Sequence, residues 1–319
     1  MTHLRAPGGR ARSIAALGAA LIVAAGCSNH SGTIGPKPLG ELPDTPVVFV
    51  HGYNPASCPG VDATHAVWGG VYLELDKAGW KGPLLPVSYY ACDTFGVDIT
   101  GYGPTTPDGA TPTVTPGTPR THYDQNTSID QLAHDLGWFV YNTYTREGKP
   151  VDLVAASMGG LIIRDLLYRV EHNDPNFPPK ISVTRAVTFS TPYVGYGGTG
   201  SDSICPVDTV ECRQFAVGSP LMNELNSGAQ PPQGDGGTTW TAVGSSSGCD
   251  FVPTSSSLAL AGATRVDYHL PCYTHVGYLW DTNPDSNATA VITQPDGSTS
   301  STDTELHSLS WLVTTLAGK

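Results

Sequence analysis

Val151 to Arg169 reads VDLVAASMGGLIIRDLLYR, and the fold turns on this stretch. Val151, Leu153 and Val154 form an apolar run too short for a helix, whereas Ile162, Ile163, Leu166, Leu167 and Val170 recur at helical spacing. The period changes across Ser157, so a buried strand meets an amphipathic helix at one serine. A corner that tight needs small residues two before and two after it, and Ala155 and Gly159 stand there. This is the nucleophile-elbow pattern, with Ala in place of the first Gly. Such a turn lifts the serine hydroxyl above the sheet. The backbone N–H of Met158 then falls at a helix start, where orphan donors and the helix dipole favour an oxyanion.

The string alone is weak, since a small-x-Ser-x-Gly pattern arises by chance roughly 0.3 times in a chain this long at ordinary Gly and Ala usage. Context decides. Gly244-Ser245-Ser246-Ser247-Gly248 fits the consensus more literally, but Cys249, Asp250, Phe251, Val252 and Pro253 follow it and cannot open a long helix. The bland alternative for Ser157 is a turn serine that caps the helix.

The chain has 319 residues, 39% of them hydrophobic, enough to bury a full core as a single α/β domain. A formal charge of −12, with no Lys/Arg run, argues against a nucleic-acid partner. The 27 Pro and 37 Gly lie between periodic apolar segments and point to long ordered loops.

Met1 to Arg12 carries Arg5, Arg10 and Arg12 and no acid, and Ser13 to Gly26 is almost wholly apolar and small. Residues 1–26 read as a signal peptide, since the apolar run falls short of the roughly 20 residues of a membrane span. Residues 27–42 read as a flexible leader and 43–319 as one catalytic domain. Ala24-Ala25-Gly26-Cys27 resembles a bacterial lipobox, although Ala24 stands where Leu is usual. Lipidation of Cys27, with membrane attachment through it, and an ordinary cut near Gly26 are both open. Export would leave Cys58, Cys92, Cys205, Cys212, Cys249 and Cys272 in an oxidising compartment, an even count suited to disulfides. No CxxC or HxxH spacing supports a metal site, and a monomer is expected.

Pro46 to Val50 (PVVFV) is a continuous apolar strand that ends in His51-Gly52-Tyr53-Asn54. In hydrolases with an elbow serine the second oxyanion donor is a backbone N–H in this loop, here assigned to Tyr53. His51 reads as a loop-holding residue, because it precedes the serine. A helix is expected over Ala63 to Ala78 with Gly79 as its stop, and a strand over Leu84 to Tyr89. Ala91 to Asn126 is an aperiodic Pro, Thr and Gly excursion, either a binding wall or decoration. Ser128 caps a helix with Gln131 three residues on, a capping-box pattern. Further strands are expected over Ile181 to Phe189, Trp240 to Gly244 and Ala263 to Leu270, the last main one. Val194 to Gly237 reads as loop with a helical piece near Leu221 to Leu225, and Glu305 to Leu316 as a closing helix. Alternating strands and helices imply a mainly parallel central sheet with helices on both faces.

A serine hydroxyl needs a base and an acid to orient that base, and in this fold acid and then His follow the serine in the chain. His172 lies at the elbow helix's far end, His269 within a strand and His307 on the closing helix. His275 sits in the loop after the last main strand, the expected place. Asp250 follows the Trp240–Gly244 strand, with Asp202 and Asp208 as runners-up. Asp267 belongs on a strand face and Asp281 in a solvated turn.

PVVFVHGYN, AASMGG, STPYVG, CRQFAVGSPLMNELN, GCDFVPTSSSLALAGA and CYTHVGYL together resemble the secreted bacterial lipases of the class 2 group within the α/β-hydrolases, over Pro46 to Leu279. That resemblance implies an α/β-hydrolase fold, Ser157, Asp250 and His275 as triad, and Tyr53 and Met158 as oxyanion donors. It further implies cofactor-free hydrolysis of acylglycerols and simpler carboxylic esters. The chain departs from the pattern at Ala156, where a His often precedes the nucleophile, and in the long Ala91 to Asn126 insertion. Proximity in this fold pairs Cys58 with Cys92, Cys205 with Cys212 and Cys249 with Cys272. An extracellular polyester depolymerase and a non-catalytic lipid-anchored binding protein are the competing functions.

Overall fold

Val47, Val48, Phe49 and Val50 are all fully buried, because both faces of their strand are covered. Val48 and Val50 join one hydrophobic core and Val47 and Phe49 the other, as strand alternation requires. The computed structural model describes residues 41–54, 63–91, 93, 95–104, 123–197, 205, 208–282, 288–302 and 307–318. The signal segment, Cys27, Cys58, Cys92 and Asp202 lie outside the described residues.

In chain order the elements are β1 (Val47–Val50), α1 (Ala63–Ala78), β2 (Leu84–Ser88), β3 (Val97–Asp98), α2 (Ile129–Thr143), β4 (Val151–Ala156), α3 (Met158–Glu171) and β5 (Val183–Phe189). There follow α4 (Val210–Gln214), α5 (Pro220–Leu225), β6 (Thr239–Ser245), α6 (Thr254–Ser257), β7 (Thr264–Leu270), β8 (Thr289–Thr293), β9 (Thr299–Thr302) and α7 (Ser308–Leu316). The sheet runs β3-β2-β1-β4-β5-β6-β7-β8-β9, parallel from β3 to β7 and antiparallel at β8 and β9. Residues of α2 and α3 pack in the core on one face, and residues of α1 and α7 in the core on the other. The expected α/β architecture, a mainly parallel sheet with helices on both faces, is what the chain adopts.

Several local expectations are corrected. The strand over Ala263 to Leu270 is not the last, since β8 and β9 add an antiparallel hairpin to the sheet edge. Its turn is closed by Gln294 N–H on Ser298 O and by Ser298 N–H on Asp296. The excursion from Ala91 is not all loop, because β3 extends the sheet and Ile99 and Tyr102 reach the core. The loop after β5 carries a second short helix, α4, capped by Thr209. His307 lies just outside α7 as its N-cap, buried, with its ring accepting from Ser310 N–H. Ser128 caps α2 by accepting from Gln131 N–H as expected, but the Gln131 side chain reaches Asp135 and does not close the capping box.

Candidate active site

Parallel strands present their carboxyl ends to one edge of the sheet, and the corner residue Ser157 stands at the end of β4. Its backbone has φ 55° and ψ −131°, a conformation that non-glycine residues adopt only when the surroundings impose it. Three contacts impose it here. Ser157 N–H donates to Phe189 O at 2.8 Å, Gly160 N–H to Ser157 O at 3.1 Å, and Thr191 Oγ1 to Ser157 O at 2.9 Å. Although Ser157 occupies the N-cap position of α3, its side chain makes no capping hydrogen bond. The bland reading of a capping serine is therefore not what the chain builds. Met158 N–H opens the helix beside Ser157.

Two glycines show how closely the β1 loop approaches this corner. A Cβ on Gly52 would lie 2.6 Å from Ser157 Cβ and 3.1 Å from its Oγ. A Cβ on Gly159 would strike the carbonyls of Val50 and His51. The loop that carries Tyr53 is thus in contact with the serine. Tyr53 packs its ring edgewise on Phe215, 6.0 Å between centroids.

The residues expected as acid and base follow strands that lie beyond β5. Asp250 follows β6 and His275 follows β7, and Cys249–Cys272 ties the two loops together with a Cα separation of 5.4 Å. His275 Nδ1 lies 3.0 Å from Asp250 Oδ1. The Asp250 side chain is fully buried and that of His275 is 15% exposed. Burial raises the Asp250 carboxyl, but the hydrogen bond and charge of His275, with Ser190 Oγ and Val252 N–H, outweigh it and hold the group below its ordinary value. Tyr278 donates to Asp250 Oδ2 at 3.0 Å. Its phenol is pushed up by burial and then by the Asp250 charge, so it stays a donor. Phe251 covers the imidazole, 3.9 Å between ring centroids.

Ser190 connects these groups to the corner. It follows Phe189, whose carbonyl accepts from Ser157, and it too has a positive φ of 50°. Its hydroxyl lies 2.5 Å from Asp250 Oδ2 and 3.0 Å from His275 Nδ1. Ser157 and Ser190 end neighbouring strands, roughly 5 Å apart by sheet spacing. The Asp250–His275 pair, which follows β6 and β7, therefore bonds to a residue one strand away from Ser157.

The rejected serine motif ends β6 in a turn, where Ser246 N–H donates to Asp267 and no long helix follows. The other histidines after Ser157, all among the described residues, are engaged elsewhere. His172 caps the far end of α3, about four turns from Ser157 at ordinary helix rise. His269 is exposed beside Asp267 at 3.6 Å. Asp208 is exposed and holds Arg213 through its carbonyl, and Asp281 accepts from Tyr273 instead of lying in a free solvated turn. Cys205–Cys212 forms as expected. Sequence reasoning assigned no role to Ser190, Tyr278 or Phe251. Ser190 stood at the end of a recognisable strand, directly before Thr191-Pro192, which was its one signal. Among the described residues no group of three or more His, Cys, Asp or Glu could hold a metal ion, and no helix is long and apolar enough to cross a membrane.

A corner serine with a positive φ on a mainly parallel sheet, with acid and His loops after later strands in that order, defines the α/β-hydrolase fold. No protein-family model and no curated protein matches the chain. Among solved structures it is similar to Aspergillus fumigatus lipase B, at 11% identity and a TM-score of 0.46, covering 74% of this chain and 49% of that one. It is similar to phospholipase PlaB from Legionella pneumophila in complex with thio-NAD at 12% identity and 0.39, covering 63% and 38%. It is similar to a Pyrobaculum calidifontis esterase at 13% identity and 0.40, covering 74% and 70%. The chain thus spans about half the length of the lipase and less of the phospholipase.

Proposed function

We propose that the chain is an exported serine carboxylic-ester hydrolase with Ser157 as nucleophile, His275 as base and Asp250 as the orienting acid. The observation that carries this reading is the Asp250–His275 hydrogen bond held by Ser190, one strand from the corner serine. His275 takes the Ser157 proton as Oγ attacks the ester carbonyl. The oxyanion is met by the N–H groups of Tyr53 and Met158, and collapse gives an acyl-enzyme and an alcohol protonated by His275. Water, deprotonated by the same imidazole, then releases the acid and restores Ser157. Asp250 keeps Nδ1 protonated, so that Nε2 is the basic atom. The chemistry needs no cofactor.

Replacing Ser157→Ala should lower hydrolysis of a short p-nitrophenyl ester by about six orders of magnitude, and Ser246→Ala should leave it unchanged. Equal losses in both variants would refute the choice of serine. Labelling by a fluorophosphonate, abolished in Ser157→Ala alone, separates this enzyme from a lipid-anchored binding protein.

A polyester depolymerase is a second reading with the same chemistry, and a band of apolar side chains favours it. Val217, 62% exposed, lies against Gly195 and Gly197; Tyr196 between those glycines meets Phe251 edge-on; and Phe251 covers His275, with exposed Val276 next in the chain. Comparing tributyrin with a polyhydroxyalkanoate film distinguishes the two.

A further inference from the structure

Behind the β1 loop lies a second His–Asp pair that the proposed chemistry does not use. His51 is 1% exposed, its Nε2 lies 3.0 Å from Asp93 Oδ2, and its Nδ1 lies 2.9 Å from Gly52 O. We propose that His51 is a positioning residue that works as an imidazolium, holding the Gly52–Tyr53 peptide so that the Tyr53 N–H faces the oxyanion. The proposal rests on the assignment of Ser157 and Tyr53 given above.

The argument runs through hydrogen-bond roles. A carbonyl oxygen can only accept, and Asp93 Oδ2 already accepts from Tyr89 N–H and Tyr90 N–H at 2.9 Å each. Both ring nitrogens of His51 therefore face acceptors, and a neutral imidazole has a proton for only one of them. Burial raises the Asp93 carboxyl, but the charge and hydrogen bond of His51 and the two backbone donors together bring it below its ordinary value. Among the described residues, the other titratable groups around His51 are Tyr89, stacked at 4.1 Å, Tyr90 at 5.5 Å, and Glu211 of α4, which accepts from Tyr90. Burial holds both phenols well above their usual value, so they stay neutral.

The consequence for Tyr53 is geometric. Gly52 C=O and Tyr53 N–H belong to one planar trans peptide and point in opposite directions. Pulling the carbonyl toward His51 Nδ1 fixes the direction of the N–H. The loop is held on either side as well, since Tyr89 OH donates to His51 O and Gln125 Nε2 to Asn54 O. Removing the Nδ1 proton would set a nitrogen lone pair against the Gly52 carbonyl and turn the peptide.

Histidine side-chain ¹⁵N spectra of the full chain, assigned through bonds from about pH 6 to about pH 8, test this directly. Protons on both His51 nitrogens throughout that range are expected, and a neutral His51 would overturn the inference. Asp93→Asn removes the counter-charge and should lower kcat on a p-nitrophenyl ester by about 10²-fold, the scale of a lost oxyanion donor, with KM within about twofold. A loss carried by KM alone would also refute it. If the wild-type protein failed to label with a fluorophosphonate, the ester-hydrolase reading would fall and this inference with it. A neutral His51 in a protein that does label would remove this inference alone.

Discussion

Replacing Ser190→Ala tests how the Asp250–His275 pair is held. The change deletes one oxygen and keeps the Cβ, and Ser190 N–H still donates to Val243 O at 2.8 Å, so the strand end is preserved. It removes the contacts at 2.5 Å to Asp250 Oδ2 and 3.0 Å to His275 Nδ1. A hydrogen bond to a charged group contributes about 1.5–3 kcal/mol. At about 1.4 kcal/mol per factor of ten, kcat should fall by about 10- to 100-fold. KM should hardly move, because the bond matters most when imidazolium forms in the transition state. Losing a donor also raises the Asp250 carboxyl toward its ordinary value, so the acid limb of the pH–rate profile should move to higher pH. Tyr278→Phe removes the other donor to the same oxygen, and the pair should be non-additive by at least about 0.5 kcal/mol. Initial rates on a p-nitrophenyl ester across pH, for both single variants and the double, provide the cycle. A Ser190→Ala enzyme within about twofold of wild type, or one impaired only in KM, would refute this account of the pair.

Mild reduction should cost activity before it costs structure, because Cys249–Cys272 joins the Asp250 and His275 loops while the sheet below carries no disulfide; simultaneous loss of ester hydrolysis and far-UV circular dichroism would contradict this. Glu211→Gln should raise the melting temperature at about pH 9 and change it little at about pH 5. Burial, opposed by the Tyr90 hydrogen bond and aided by Asp124, pushes the Glu211 carboxyl up to about 8, so the folded state holds a proton that the unfolded chain releases above about pH 4.3. That stabilisation is full below the unfolded value and is lost as pH rises through about 8. Equal melting shifts at both pH values would refute the burial of this charge.

The corner and its neighbours were legible because each rested on a change of period. Strand-to-helix at Ser157, an apolar run into His51-Gly52, and a loop after each later strand are local signals that packing then reinforced. The β8–β9 hairpin escaped because its strands are built largely from Thr, Ala and Ser, with only Ala290 and Ile292 turned into the core, although Pro295-Asp296-Gly297 marked its turn. Helix α4 escaped because five residues carry no measurable period; its Thr209 cap and the Cys205–Cys212 link hold it in place. Ser190 and Tyr278 act through contacts spanning 60 and 28 residues to Asp250, and Phe251 through a contact with His275, 24 residues on. No window along the chain would join Ser190 or Tyr278 to Asp250.

The His51–Asp93 pairing shows why such a link is invisible until the chain is folded. Asp93 lies in the excursion from Ala91, a stretch with no period and no motif. It reaches the β1 loop because β2 runs beside β1 and delivers Tyr89 and Tyr90 to the same strand ends. Its carboxylate is stable there only because two backbone donors and the imidazole meet it; a buried anion without them would cost several kcal/mol. The excursion is therefore tied to the corner it surrounds. A strained backbone at Ser157 must be held from outside the turn, with β5 and Thr191 bonding it directly and Gly52 of the clamped β1 loop pressed against its side chain. Loosening the Asp93 side should thus reach the serine through the Gly52–Tyr53 peptide while leaving the Asp250–His275 pair, which hangs from β6 and β7, unchanged.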